Sequence, residues 1–85
     1  MLTSPTDADH FLGFISEYLN ERFPNLSPVA PDTPLLEGAI DSLGFLDLLM
    51  FLSEKFGIAV EDENFDFQMM ETPQTIAHLA RRMTA

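Results

Sequence analysis

Few side chains in this 85-residue sequence could do chemistry, and Ser42 is the first of them. It lies in Asp41-Ser42-Leu43, immediately ahead of an apolar run. A serine hydroxyl could act as a nucleophile with His78 and an aspartate, which would be acyl-transfer chemistry. That reading lacks its scaffold, because there is no Gly-x-Ser-x-Gly elbow and no alternation of strands and helices. His10 and His78 lie far apart in the chain and need not meet. Glu61-Asp62-Glu63 and Asp66 could hold Ca²⁺ loosely, but the EF-hand spacing and its glycine are missing, so a solvated acidic loop is the simpler account. There is no cysteine, which removes disulfides and thiolate metal sites, and no metal site is expected. Ser42 also has a plain reading. Asp41 or Ser42 could be only a helix N-cap, since both residue types are preferred there, and most Asp-Ser pairs ahead of an apolar run are no more than that.

The segment that Ser42 opens is unusual. A helix advances about 100° per residue. With Ser42 at zero, Phe45, Leu48, Leu49, Leu52 and Phe56 fall within an arc of about 100°, the width of one core-facing stripe. Leu46, Met50 and Leu43 fall at about 40°, 80° and 100°, on a second strip beside Ser42. Asp47 and Glu54 border that strip at about 140° and 120°. A helix in a small bundle needs one buried stripe. The second is either a docking face for another protein or a sign that the helix is covered over most of its girth.

The rest of the chain must position this helix. Phe11, Phe14, Ile15, Tyr18 and Leu19 follow helical spacing, and Pro24 ends that segment, which predicts a first helix over 7–22 with Thr6 or Asp7 as its cap. Residues 23–41 contain Pro24, Pro28, Pro31 and Pro34, a density of missing donors that predicts a long loop without helix. Its Leu26, Val29, Leu35, Leu36 and Ile40 are expected to pin it to the core. A second helix over 42–56 stops at Gly57. Ile58-Ala59-Val60 is short and extended, and a short third helix is expected over 64–70, anchored by Phe65 and Phe67. Thr72-Pro73 starts a fourth over 73–83, with Ile76, Leu79, Ala80 and Met83 inward and Arg81 and Arg82 at its negative dipole end. The fold class is all-α: three main helices, one short helix and a long loop between the first two, in one domain over 1–85.

Composition sets the company the chain keeps. Fourteen acids against four basic residues give a net charge of −10, which opposes nucleic acid phosphates and anionic lipid and favours basic proteins. The N-terminus has no basic segment followed by an apolar one, and the longest apolar run, Leu48 to Leu52, cannot span a bilayer. A cytoplasmic monomer is expected.

Glu37-Gly38-Ala39-Ile40-Asp41-Ser42-Leu43 resembles the modification site of the acyl carrier and peptidyl carrier protein superfamily. The order of helices, the Pro34-Leu35-Leu36 approach, the Leu48-to-Ile58 continuation through Phe56-Gly57-Ile58 and the acidity are similar along residues 8–83. The resemblance implies a non-catalytic carrier whose Ser42 bears 4′-phosphopantetheine, attached from coenzyme A by a phosphopantetheinyl transferase through a phosphodiester. The cofactor's thiol would hold an acyl or aminoacyl group as a thioester, supplying what a cysteine-free chain lacks. A helix N-terminus also suits a phosphate. By the same resemblance Asp41 serves the transferase contact, Leu43, Leu46 and Met50 dock apolar surface, and Asp47 and Glu54 meet basic enzymes. Those enzymes would be the transferase, an adenylating ligase or acyltransferase that loads the thiol, and a downstream transferase.

Gly44 and Ser53 stand where many fatty-acid carriers have acids. The Ser42-Leu43-Gly44-Phe45 start and the segment from Asn64-Phe65 to Glu71-Thr72-Pro73 are more similar to stand-alone carriers of amino acids or specialised acyl units, such as D-alanyl carrier proteins. An aminoacyl or specialised acyl cargo is therefore expected, with fatty-acid or polyketide carriage as the alternative. An unmodified acidic interaction module, with Ser42 only a cap, is the remaining possibility. Phe45 beside the cofactor arm would suit a small cargo.

Overall fold

Three amphipathic segments and the breakers between them decide the architecture. In a computed structural model, which describes residues 7–84, they form α1 (Asp7–Arg22), α2 (Ser42–Phe56) and α3 (Pro73–Thr84). Thr6, one of the expected caps of α1, lies outside the described residues. There is no strand among the described residues, and no helix there is long and apolar enough to cross a membrane. The all-α bundle expected from the sequence is the fold observed.

Each helix end has a local cause. Gly57 closes α2 in the left-handed region at φ 71°, which a side chain would strain, and its N–H bonds back to the Ser53 carbonyl at 2.9 Å. At the start of α3, Thr72 and Thr75 cap each other: the Thr75 N–H donates to Thr72 Oγ1 at 3.1 Å, and the Thr72 N–H donates to Thr75 Oγ1 at 3.0 Å. Pro73 needs no N–H partner at the first helical position.

The loop from 23 to 41 departs from expectation in two ways. Pro24–Leu26 forms one turn of 3₁₀ helix, because a proline at the first position lacks a donor that the turn does not use. Leu35 is fully buried, and Leu26, Val29 and Ile40 pack against the core, but Leu36 points to solvent. Backbone bonds hold the loop down, from the Leu35 N–H to the Glu71 carbonyl at 2.8 Å and from the Gln74 N–H to the Pro31 carbonyl at 2.9 Å. The expected short helix over 64–70 is also shorter. It is a 3₁₀ turn, Phe67–Met70, because Asp66 caps it by accepting from the Gln68 N–H at 2.9 Å. Phe65 anchors it inside, whereas Phe67 is exposed rather than an anchor.

The core joins Ile15 and Leu19 of α1, Leu48 and Leu52 of α2, Met70, and Ile76, Ala77, Leu79 and Ala80 of α3. Ala77 and Ala80 let α1 and α3 approach closely. α2 stands further off: no Cα of α1 comes within 8 Å of a Cα of α2. Aromatic rings fill that gap. Tyr18 stacks on Phe51 with centroids 4.1 Å apart, and Phe11 meets Phe56 edge-on at 4.8 Å.

Candidate functional site

The N-terminus of α2 is fixed by Asp41. Its backbone is extended, and its Oδ1 accepts a hydrogen bond from the Gly44 N–H at 2.7 Å, satisfying one of the donors that a helix start leaves free. Asp41 is therefore the cap. Ser42 follows it as the first residue of the helix, is exposed, and its hydroxyl makes no hydrogen bond among the described residues. Beside it runs an open groove of about 450 Å³ lined by Leu36, Ile40, Asp41, Ser42, Phe45 and Leu46. Ser42 is itself exposed on the wall of this groove. A phosphate ester on that hydroxyl would sit at a positive dipole end with room for an attached chain, so the residues fit a phosphopantetheine group.

Gly44 positions this start in a way that its sequence context did not reveal. A Cβ there would lie 2.6 Å from Phe23 Cε1 and 2.9 Å from Ile40 Cγ2. The first turn of α2 is thus pressed against the chain that leaves α1, and only glycine leaves the space. The available signal was a lone glycine in an otherwise apolar helix, which often marks close approach. Phe23, its neighbour in space, gave no local signal.

The second apolar strip is on the surface. Leu43, Leu46 and Met50 are 72%, 54% and 57% exposed, while Leu48 and Leu52 of the other face are fully buried. Leu36 and Phe67, the two residues that turned outward against expectation, belong to the same side. Leu36 lines the groove with Ser42, and Phe67 lies 6.4 Å from Phe45, ring to ring.

The two acids bordering the strip differ. Glu54 is exposed. Asp47 is ion-paired with Arg22, the last residue of α1, so its carboxylate is not free. The hydrogen bond that Arg22 donates to Asp47, and then the charge of that carboxylate, raise the pKa of the Arg22 guanidinium further. Burial, and then the Asp47 carboxylate, push the nearby Tyr18 phenol up.

Other candidates are separate from Ser42. His78 is exposed on α3. A polar cavity of about 810 Å³ lies between the 62–67 loop and Arg82 and Met83. Its Asp62 and Asp66 already accept backbone bonds from Asn64 and Gln68. No group of three potential metal ligands gathers among the described residues.

The sequence is similar to known proteins. Residues 12–81 match the family described as the phosphopantetheine attachment site. The chain is similar to the mitochondrial acyl carrier protein of Dictyostelium discoideum, 32% identical over 77 residues, covering 91% of this chain and 61% of that one. It is also similar to the D-alanyl carrier protein of Abiotrophia defectiva, 34% identical over 50 residues, covering 58% of this chain and 63% of that one. The matches thus span less than two thirds of either relative's length. No solved structure matches the chain.

Proposed function

The chain belongs to the phosphopantetheine attachment-site family, and from that membership we propose that it is a carrier modified on Ser42, shuttling an aminoacyl or specialised acyl group between enzymes. The observation that carries this reading is the Ser42 hydroxyl: exposed, unbonded, and relieved of capping by Asp41. In the modification, Ser42 Oγ attacks the pantetheine-side phosphorus of coenzyme A. An Oγ–P bond forms, the pyrophosphate P–O bond breaks, adenosine 3′,5′-bisphosphate leaves, and the hydroxyl proton passes to a base of the transferase. Once attached, the cofactor supplies the thiol that holds the cargo.

This chain's own residues then bind and orient. Asp41 holds the helix start through one carboxylate oxygen and offers the other to the transferase. Leu43, Leu46 and Met50 supply apolar docking surface, and Glu54, with Asp47 behind its ion pair, supplies negative charge. An exposed apolar row edged by carboxylates has the make-up of a protein-binding surface. The enzymes that meet it are the phosphopantetheinyl transferase, a loading ligase or acyltransferase, and a downstream transferase.

One feature supports a small cargo: the Phe45 ring lines the groove beside Ser42 and takes up space there. The relative named a D-alanyl carrier agrees. The relative named an acyl carrier, matched along more of this chain, supports the second reading, fatty-acyl carriage.

Incubation with coenzyme A and a promiscuous transferase tests the carrier reading. One phosphopantetheine should be added by intact mass, and none to Ser42→Ala. Folded protein that takes up nothing would overturn it. Holo protein given lysate and ATP should then gain an aminoacyl or short acyl mass. A long acyl mass would favour the second reading.

A further inference from the structure

The sequence holds four basic side chains, Arg22, Lys55, Arg81 and Arg82. Arg81 and Arg82 end α3, and Lys55 lies over the Phe14 ring at 4.5 Å. Arg22 instead reaches the first turns of α2. It lines a shallow cavity with Asp41, Leu43 and Gly44, and it pairs with Asp47. Its guanidinium stands 5.3 Å from the centre of the Phe23 ring, the ring that packs on Gly44. The cation is therefore placed by the same contact that seats α2.

We propose that Arg22 is a specificity-determining residue, which withdraws Asp47 from the acidic docking face and obliges a basic enzyme to compete for that carboxylate. The inference rests on the carrier reading. It follows from charge arithmetic on one face. A partner cation approaching Asp47 meets a guanidinium already there, so the net attraction comes from Asp41 and Glu54. Removing Arg22 would restore Asp47 as a docking acid and strengthen steering at low salt. The guanidinium donates to Asp47 Oδ2, so the pair is formed within the chain.

The test is the rate at which a phosphopantetheinyl transferase modifies the full chain with coenzyme A, separated into KM and kcat. Arg22→Gln should lower KM for the chain about two- to five-fold at low ionic strength, with kcat unchanged, the range expected for an exposed pair. Arg81→Gln makes the same change in net charge at a distance and should have a smaller effect. In an Asp47→Asn background, Arg22→Gln should do no more than Arg81→Gln. Arg22→Lys, which keeps the charge, should return KM toward the starting value. The Arg22→Gln advantage should fade as salt rises. An Arg22→Gln effect equal to that of Arg81→Gln, or one that persists without Asp47, overturns the inference while leaving the carrier reading intact. Failure of the unaltered chain to be modified at all overturns both.

Discussion

Helices α2 and α3 both carry abundant apolar residues, yet they distribute them in opposite ways. In α3, Pro73, Ile76, Ala77, Leu79 and Ala80 all face inward, and Gln74, His78, Arg81 and Arg82 face water. In α2, Leu48 and Leu52 are buried while Leu43, Leu46 and Met50 are not. One helix has the apolar residues that the core needs. The other has more than it needs, and the excess lies on the side of Ser42. The contrast teaches that apolar content does not measure a helix's contribution to stability. In α2, Phe45, Leu48, Leu49, Phe51, Leu52 and Phe56 pack in or against the core, while Leu43, Leu46 and Met50 add apolar surface that the core does not use.

Stability measurements in urea can break or sharpen this contrast. The largest effect is expected in α3, where Leu79→Ala should cost about 2–5 kcal/mol through lost burial and a cavity. Leu48→Ala and Leu52→Ala in α2 belong to the same class, and outside those two buried leucines the largest effect in α2 should come from Gly44→Ala. Helix propensity favours alanine there by about 1 kcal/mol, whereas the clash with Phe23 and Ile40 costs about 1–3 kcal/mol. A net loss is therefore expected, and it should shrink when Phe23→Leu is added. A net gain would show that the first turn of α2 is not pressed on α1's exit. Next comes Asp41→Ala, at about 1 kcal/mol for a lost cap. Asp41→Asn keeps the acceptor, so it should hold stability while slowing modification of Ser42. The smallest stability effects, within about 0.5 kcal/mol, belong to Leu46→Glu and Met50→Glu. Both should nonetheless raise the KM of a loading enzyme. A loss as large as that of Leu79→Ala would place these residues in the core and erase the difference between the helices.

What could be read from the sequence was local. Spacing of apolar residues marked the three helices, Gly57 and Thr72-Pro73 marked their ends, and the helical angle separated Leu46 and Met50 from Leu48 and Leu52. What escaped depends on residues far apart. Asp47 and Arg22 are 25 positions apart, and nothing in either's neighbourhood announces the pair. Gly44 looked like a missing acid until Phe23 was placed against it. Phe67 looked like an anchor because aromatic residues usually bury, but Asp66 starts its turn at a phase that sends Phe65 inward and Phe67 out. The Pro24–Leu26 turn was missed because proline was read as excluding helix, although it fits a first turn. On Ser42 the sequence left cap and modification site both open, and the Asp41 hydrogen bond assigns the capping to Asp41.

The ring layer between α1 and α2 makes the molecule its own optical probe. Tyr18 is the single tyrosine, there is no tryptophan, and its ring is stacked on Phe51 within reach of the Asp47 carboxylate. Near-ultraviolet dichroism in the tyrosine band therefore watches one seam, the seating of α2 on α1, without a label. Alkaline titration reads the same place: phenolate absorbance should rise above the usual tyrosine range while the seam is closed, and move down when Asp47 is neutralised. An enzyme that pulls on the Arg22–Asp47 pair would thus announce itself in the spectrum of a residue it never touches.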